Sequence, residues 1–125
     1  MPQTHRLVGR RVLITEDEIL VALELQQTLR DAGCEIVGVS RSLASAFALL
    51  ESSEPDFAVL DINLGGEDVY PFARAIRARG IPFFFLSGYS EEFLLPEDLR
   101  DCVRLEKPAR DYQILRAAAQ LFVKQ

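Results

Sequence analysis

The period of the apolar positions changes repeatedly along the chain. RVLIT, at 11–15, is a short β-branched run, and Glu16 and Asp17 follow it at once. From 18 to 32, Ala22, Leu25, Leu29 and Ala32 recur at helical spacing, with Gly33 as the stop. EIVGV, at 35–39, reads as a second strand. Ser42 suits the cap of a helix whose apolar stripe is Leu43, Ala46, Phe47 and Leu50, and Pro55 ends the segment after it. FAVLD, at 57–61, is a third strand that finishes on an acid. Gly65 and Gly66 open a loop. The pattern of Val69, Phe72, Ala73 and Ile76 then predicts a helix from about 67 to 79, closed by Gly80, with Pro71 acceptable only in the first turn. PFFFLS, at 82–87, is a fourth strand. Pro96 leaves SEEFLLPED room for a short helix at most. CVRLE, at 102–106, is a fifth strand, and a last helix from Asp111 carries Ile114, Leu115, Ala118, Leu121 and Phe122 on one face.

Five strands alternating with helices predict an α/β fold with a parallel sheet covered on both faces. A central strand of such a sheet is buried on both sides, which accounts for three consecutive phenylalanines. The 125 residues make one domain, expected over 1–125 with its core at about 11–122 and no effector domain after it. The net charge of -5 argues against direct contact with nucleic acid. The polar start, MPQTHRLVGRR, has no signal core, and no apolar run is long enough to span a bilayer, so the chain is expected to be soluble and cytoplasmic. Cys34 and Cys102 are too few for a zinc site, and the lone His5, placed in a ragged N-terminus, excludes histidine-based triads.

Ligands of such sheets bind outside the carboxyl ends of the strands. There the chain places Glu16 and Asp17 after the first strand, Asp61 at the end of the third, Ser87 at the end of the fourth, and Lys107 with Pro108 after the fifth. Taken singly, each is an ordinary turn, cap or loop residue. Together they are three acids, a hydroxyl and an ammonium at one edge. Close carboxylates repel, and a divalent cation relieves the repulsion; an all-oxygen ligand set favours Mg²⁺ or Mn²⁺ over zinc. Lys107 and Ser87 suit phosphoryl oxygens, and Asp61 suits the nucleophile that accepts the group.

With these residues in place the chain resembles a response-regulator receiver domain of bacterial two-component signalling, over about residues 11–122. The resemblance implies a flavodoxin-like (βα)5 sandwich with strand order 2-1-3-4-5. It implies Asp61 as phospho-acceptor from a sensor histidine kinase or histidine phosphotransfer protein. It implies Mg²⁺ on Glu16, Asp17, Asp61 and the backbone carbonyl of Asn63, phosphoryl contacts from Ser87 and Lys107, and a cis Lys107–Pro108 bond.

Three departures from the common receiver pattern stand out. Gly65 replaces a frequent proline, Arg104 occupies the place of the usual aromatic switch residue, and the fourth helix region is short. LDINLGGE and Phe85-Leu86-Ser87-Gly88-Tyr89 resemble the FAT GUY receivers, with Leu for Ala and Ser for Thr. Tyr89 is the residue placed to take over signalling from the missing aromatic, with Arg104 and Pro108 completing the conformational set. Arg74, Arg77 and Arg79 read as a solvated helix face. Arg100, Arg104, Arg110 and Arg116 surround the usual output face, where an acidic partner is the matching chemistry. Two other functions stay open at this point: an Mg²⁺-dependent phosphohydrolase using Asp61, and a degenerate receiver that only binds a partner. Asn63 stands where the phosphohydrolase needs a second acid.

Overall fold

The computed structural model describes residues 2–88 and 95–123. Its strands are β1 (Arg11–Thr15), β2 (Glu35–Ser40), β3 (Phe57–Asp61), β4 (Asn63–Leu64), β5 (Glu67–Asp68), β6 (Phe83–Gly88) and β7 (Arg104–Lys107). Its helices are α1 (Ile19–Asp31), α2 (Leu43–Ser52), α3 (Tyr70–Ala78) and α4 (Asp111–Gln120). Five strands form one parallel sheet in the order β2-β1-β3-β6-β7, which is 2-1-3-4-5 for the main strands. The expected α/β fold and strand order are both present.

The alternation of side chains along β6 divides the core. Phe83 and Phe85 pack on one face with Phe72, Ala73 and Ile76 of α3 and with Ala46 and Leu50 of α2. Phe84 and Leu86 point the other way, to Leu25 and Leu29 of α1 and to Ile114 and Ala118 of α4. All five residues of β3 are buried, as a central strand requires. Ser42 caps α2 as expected, its Oγ accepting from the N–H of Ser45 at 3.1 Å while Ser45 Oγ accepts from Ser42 N–H at 3.4 Å.

Three local expectations need correction. Residues 67 and 68 are not helical: β5 pairs antiparallel with β4 in a small hairpin, and α3 starts at Tyr70 with Pro71 in its first turn. The hairpin satisfies backbone groups that a helix start would leave open; Val69 N–H also donates to Ile62 O at 2.8 Å. The turn needs left-handed backbone at Gly65 and Gly66, with φ of 58° and 92°. Next, β7 starts two residues later than CVRLE suggests, at Arg104. Finally, the N-terminus is not ragged: Pro2–Leu7 forms a 3-10 helix, Leu7 is fully buried, and the Arg10 guanidinium lies 3.9 Å from the centre of the Phe122 ring.

The arginines of α3 are exposed but not simply solvated. Arg74 pairs with Asp98 and Arg77 with Asp101, tying α3 to the 97–101 segment, while Arg79, the residue after α3, pairs with Glu51 of α2. Cys34 is buried, and its thiol is pushed up to about 11 by that burial; Cys102 is half-buried, and both are free. Among the described residues no helix is long and apolar enough to cross a membrane.

Candidate functional site

Parallel pairing sets the site residues side by side. Glu16 lies one step past β1, yet its N–H donates to Ser40 O at 2.9 Å, extending the ladder and holding the side chain inside. Asp61 closes β3, and its N–H donates to Thr15 Oγ1 at 3.1 Å. Ser87 and Gly88 of β6 pair with Glu106 and Lys107 of β7. The Lys107–Pro108 peptide is cis, as the resemblance implies.

Carboxylate oxygens of Glu16, Asp17 and Asp61 lie within 4.8 Å of one another. Glu16 is fully buried, Asp61 is 3% exposed, and Asp17 is half-buried. Lys107 Nζ reaches three acids: Glu18 at 2.9 Å, Asp61 at 3.2 Å and Glu16 at 3.3 Å. Its ammonium is held above its ordinary range: burial opposes the charge, but the carboxylates of Glu18, Asp61 and Glu16 outweigh burial. The Glu16 carboxyl is pushed up to about 7, first by burial and then by the Asp61 charge. Asp61 is also raised, by burial, with Lys107 pulling the other way. Three carboxylates share the site with a single ammonium, and burial strips two of them of solvation. A hard divalent cation with oxygen ligands fits that donor set.

The hairpin reaches the same place. Gly65 N–H donates to Asp17 Oδ2 at 2.9 Å, and Gly66 N–H donates to Asn63 Oδ1 at 2.9 Å. Asn63 N–H lies 3.4 Å from Asp61 Oδ1. Ser87 is fully buried, and its Oγ accepts from Arg104 Nη1 at 3.2 Å. Pro108 is exposed beside Lys107. Tyr89 lies outside the described residues. The fold thus gathers Glu16, Asp17, Asp61 and Lys107 into one cluster, with Ser87 at the same sheet end.

Sequence reasoning overlooked four partners. Glu18, third in a Glu-Asp-Glu run, completes the clamp on Lys107. Thr15, the last β1 residue, seats the Asp61 backbone. Nothing in the sequence signals the Gly65–Asp17 bond, which bridges 48 residues. The Arg104–Ser87 bond was legible only as an oddity, a cation where an aromatic was expected.

The geometry agrees with comparisons to known proteins. The transcriptional regulatory protein PdtaR of Mycobacterium tuberculosis is 37% identical over 95 residues, which are 75% of this chain and 46% of PdtaR. This chain therefore spans about half the length of that curated relative. The solution structure of SdrG from Sphingomonas melonis Fr1 superposes with a TM-score of 0.81 at 37% identity, covering 94% of this chain and 98% of SdrG. The BeF3-activated conformation of SdrG, from Pseudomonas melonis Fr1, gives 0.77 at 34% identity, over 93% of this chain and 98% of that one. The model of the response regulator receiver domain matches residues 12–118. With its five-stranded parallel sheet and its acidic pocket beside a lysine, this chain belongs to the response regulator receiver domain family.

Proposed function

We propose that the chain is a phosphorylation-controlled signalling module whose acceptor is Asp61. The observation that carries this is the placement of Asp61: nearly buried, 3.2 Å from the Lys107 ammonium, and within 4.8 Å of the Glu16 and Asp17 carboxylates. A carboxylate attacking phosphorus needs in-line positioning and charge neutralisation more than proton transfer. Asp61 is the nucleophile. Its Oδ–P bond forms as the P–N bond of a phosphohistidine breaks, and the imidazole leaves with the electron pair. Lys107 binds a phosphoryl oxygen, and Ser87 donates its hydroxyl to another. Glu16, Asp17, Asp61 and the backbone carbonyl of Asn63 would hold Mg²⁺, with Mn²⁺ as its substitute; the bound cation supplies charge neutralisation at the phosphoryl oxygens.

The donor in this reading is a sensor histidine kinase or a histidine phosphotransfer protein. Exposed Ile19, Leu20 and Leu23 at the start of α1 offer it an apolar footing beside the site. Residues 1–125 act as a single receiver domain, which signals through protein contacts or relays phosphoryl groups. Phe85-Leu86-Ser87-Gly88-Tyr89 and the glycine pair of the hairpin support placement in the FAT GUY subgroup, with Tyr89 and Pro108 in the conformational set. A phosphohydrolase is disfavoured because the Asn63 side chain carries no acidic proton and accepts from Gly66.

Incubation with Mg²⁺ and acetyl phosphate tests the reading. We expect one base-labile phosphoryl adduct per chain by intact mass, absent in Asp61→Asn. Rapid multiple turnover of phosphate esters would point to the hydrolase instead, and no adduct at all to a module that only binds a partner.

A further inference from the structure

Arg104 stands where an aromatic was expected, and it has a definite partner. On the edge strand β7 it pairs with Phe85, and its guanidinium reaches toward the next same-face position of β6, Ser87, donating from Nη1 to Oγ at 3.2 Å. Ser87 directly follows Leu86, the residue that pairs with Asp61. An exposed arginine is thereby wired to a fully buried hydroxyl at the phospho-acceptor end of the sheet.

The chemistry of that bond is directional. A hydroxyl has one proton and two lone pairs. A guanidinium only donates, so its bond occupies a lone pair and leaves the Ser87 proton to be given elsewhere. Phosphoryl oxygens only accept. A donor onto Oγ also polarises the hydroxyl and makes it a stronger donor. The charge balance needs such help. Lys107 already serves Glu18, Asp61 and Glu16, and a phosphoryl group adds negative charge to the same end of the sheet.

We propose that Arg104 is a positioning residue for phosphoryl transfer: it holds the Ser87 hydroxyl as a proton donor toward the phosphoryl group on Asp61 and stabilises that group through Ser87. This rests on the reading of Asp61 as the acceptor. In the assay the Asp61 Oδ–P bond forms, the P–O bond of acetyl phosphate breaks, and acetate leaves with the electron pair. Arg104 neither gains nor loses a proton. An aromatic side chain at 104 has no charge to contribute, so the substitution changes how Ser87 is held.

The test is a double-mutant cycle on the phosphorylation rate with Mg²⁺ and acetyl phosphate. Arg104→Ala slows the reaction on the order of ten-fold, the scale of one charge-assisted hydrogen bond. In a Ser87→Ala background the same replacement changes the rate by less than about two-fold, because the relay is already cut. Arg104→Lys, which keeps a charged donor, is faster than Arg104→Ala. Equal losses in the two backgrounds, an unchanged rate in Arg104→Ala, or a lysine variant as slow as the alanine one each overturn the proposal. Arg104→Met, which keeps the length of the side chain but has no donor, replaces the alanine variant if that variant does not fold. A wild-type chain that takes no phosphoryl group, or takes it equally after Asp61→Asn, defeats the underlying reading itself, so the two failures are distinguishable.

Discussion

Glu16 sits in surroundings that oppose its charged form. It is fully buried, shares space with Asp61, and receives N–H donation from Glu18 at 3.1 Å and from Lys107 at 3.3 Å. Those donors do not offset desolvation, so its folded value is about 7 against an ordinary 4.5. The folded state therefore binds more protons than the unfolded chain between those values. The contribution is fully present below about 4.5 and is lost as pH rises through about 7. In chelator, the urea midpoint of the wild type is expected to fall from pH 5 to pH 8, by on the order of 1–3 kcal/mol in stability. Glu16→Gln removes most of that slope. A wild-type midpoint as high at pH 8 as at pH 5 would contradict the assignment.

At the scale of elements, β6 carries the most information. Its phenylalanines alternate between two separate cores, Phe84 to the α1 and α4 side and Phe85 to the α2 and α3 side. An amphipathic strand would have one costly face and one cheap one. Here Phe84→Ala and Phe85→Ala are each expected to cost about 3–5 kcal/mol in urea unfolding, since both rings are fully buried. A cost under about 1 kcal/mol for either would mean that its face is not core. The β4–β5 hairpin shows the opposite case, an element with almost no apolar signal. Its Asn-Leu-Gly-Gly-Glu-Asp run contains a single buried side chain, Leu64, and its form is decided by the glycine turn and by backbone bonds. The same hairpin delivers the Gly65 N–H to Asp17, so a two-strand element that periodicity misses shapes the acidic pocket.

For the molecule as a whole, the acidic pocket sets a stability that depends on what occupies it. Three carboxylates gathered at the ends of β1 and β3 repel, and a cation that binds only the folded state stabilises by mass action. At pH 8, Mg²⁺ at a hundred times its dissociation constant is expected to add about 2.7 kcal/mol and to raise the melting temperature, with chelator reversing the gain. Asp17→Asn is expected to abolish most of the response. A melting temperature indifferent to Mg²⁺ in the wild type would remove the cation from the account. The overall charge of -5 favours any cation in a general way, so the comparison with Asp17→Asn is what localises the effect.

Periodicity was sufficient for the two-sided parallel sheet, while its strand order came from the resemblance to receivers. Five apolar runs, separated by amphipathic stripes such as Ala22, Leu25 and Leu29, leave a two-sided parallel sheet as the arrangement that buries them all. The strand ends then named Glu16, Asp17, Asp61, Ser87 and Lys107, because a parallel sheet brings every carboxyl end to one edge. Elements with weak apolar pattern were not legible in this way. The start of α3, the hairpin before it and the late start of β7 depend on backbone pairing between segments. Partner choice was the least legible of all. Whether Lys107 reaches Glu18, whether Gly65 meets Asp17, and whether Arg104 turns inward to Ser87 are side-chain and backbone directions fixed by packing across 89, 48 and 17 residues of chain. Local sequence determines which groups a strand end carries; only the assembled sheet determines which of those groups lie within hydrogen-bonding distance.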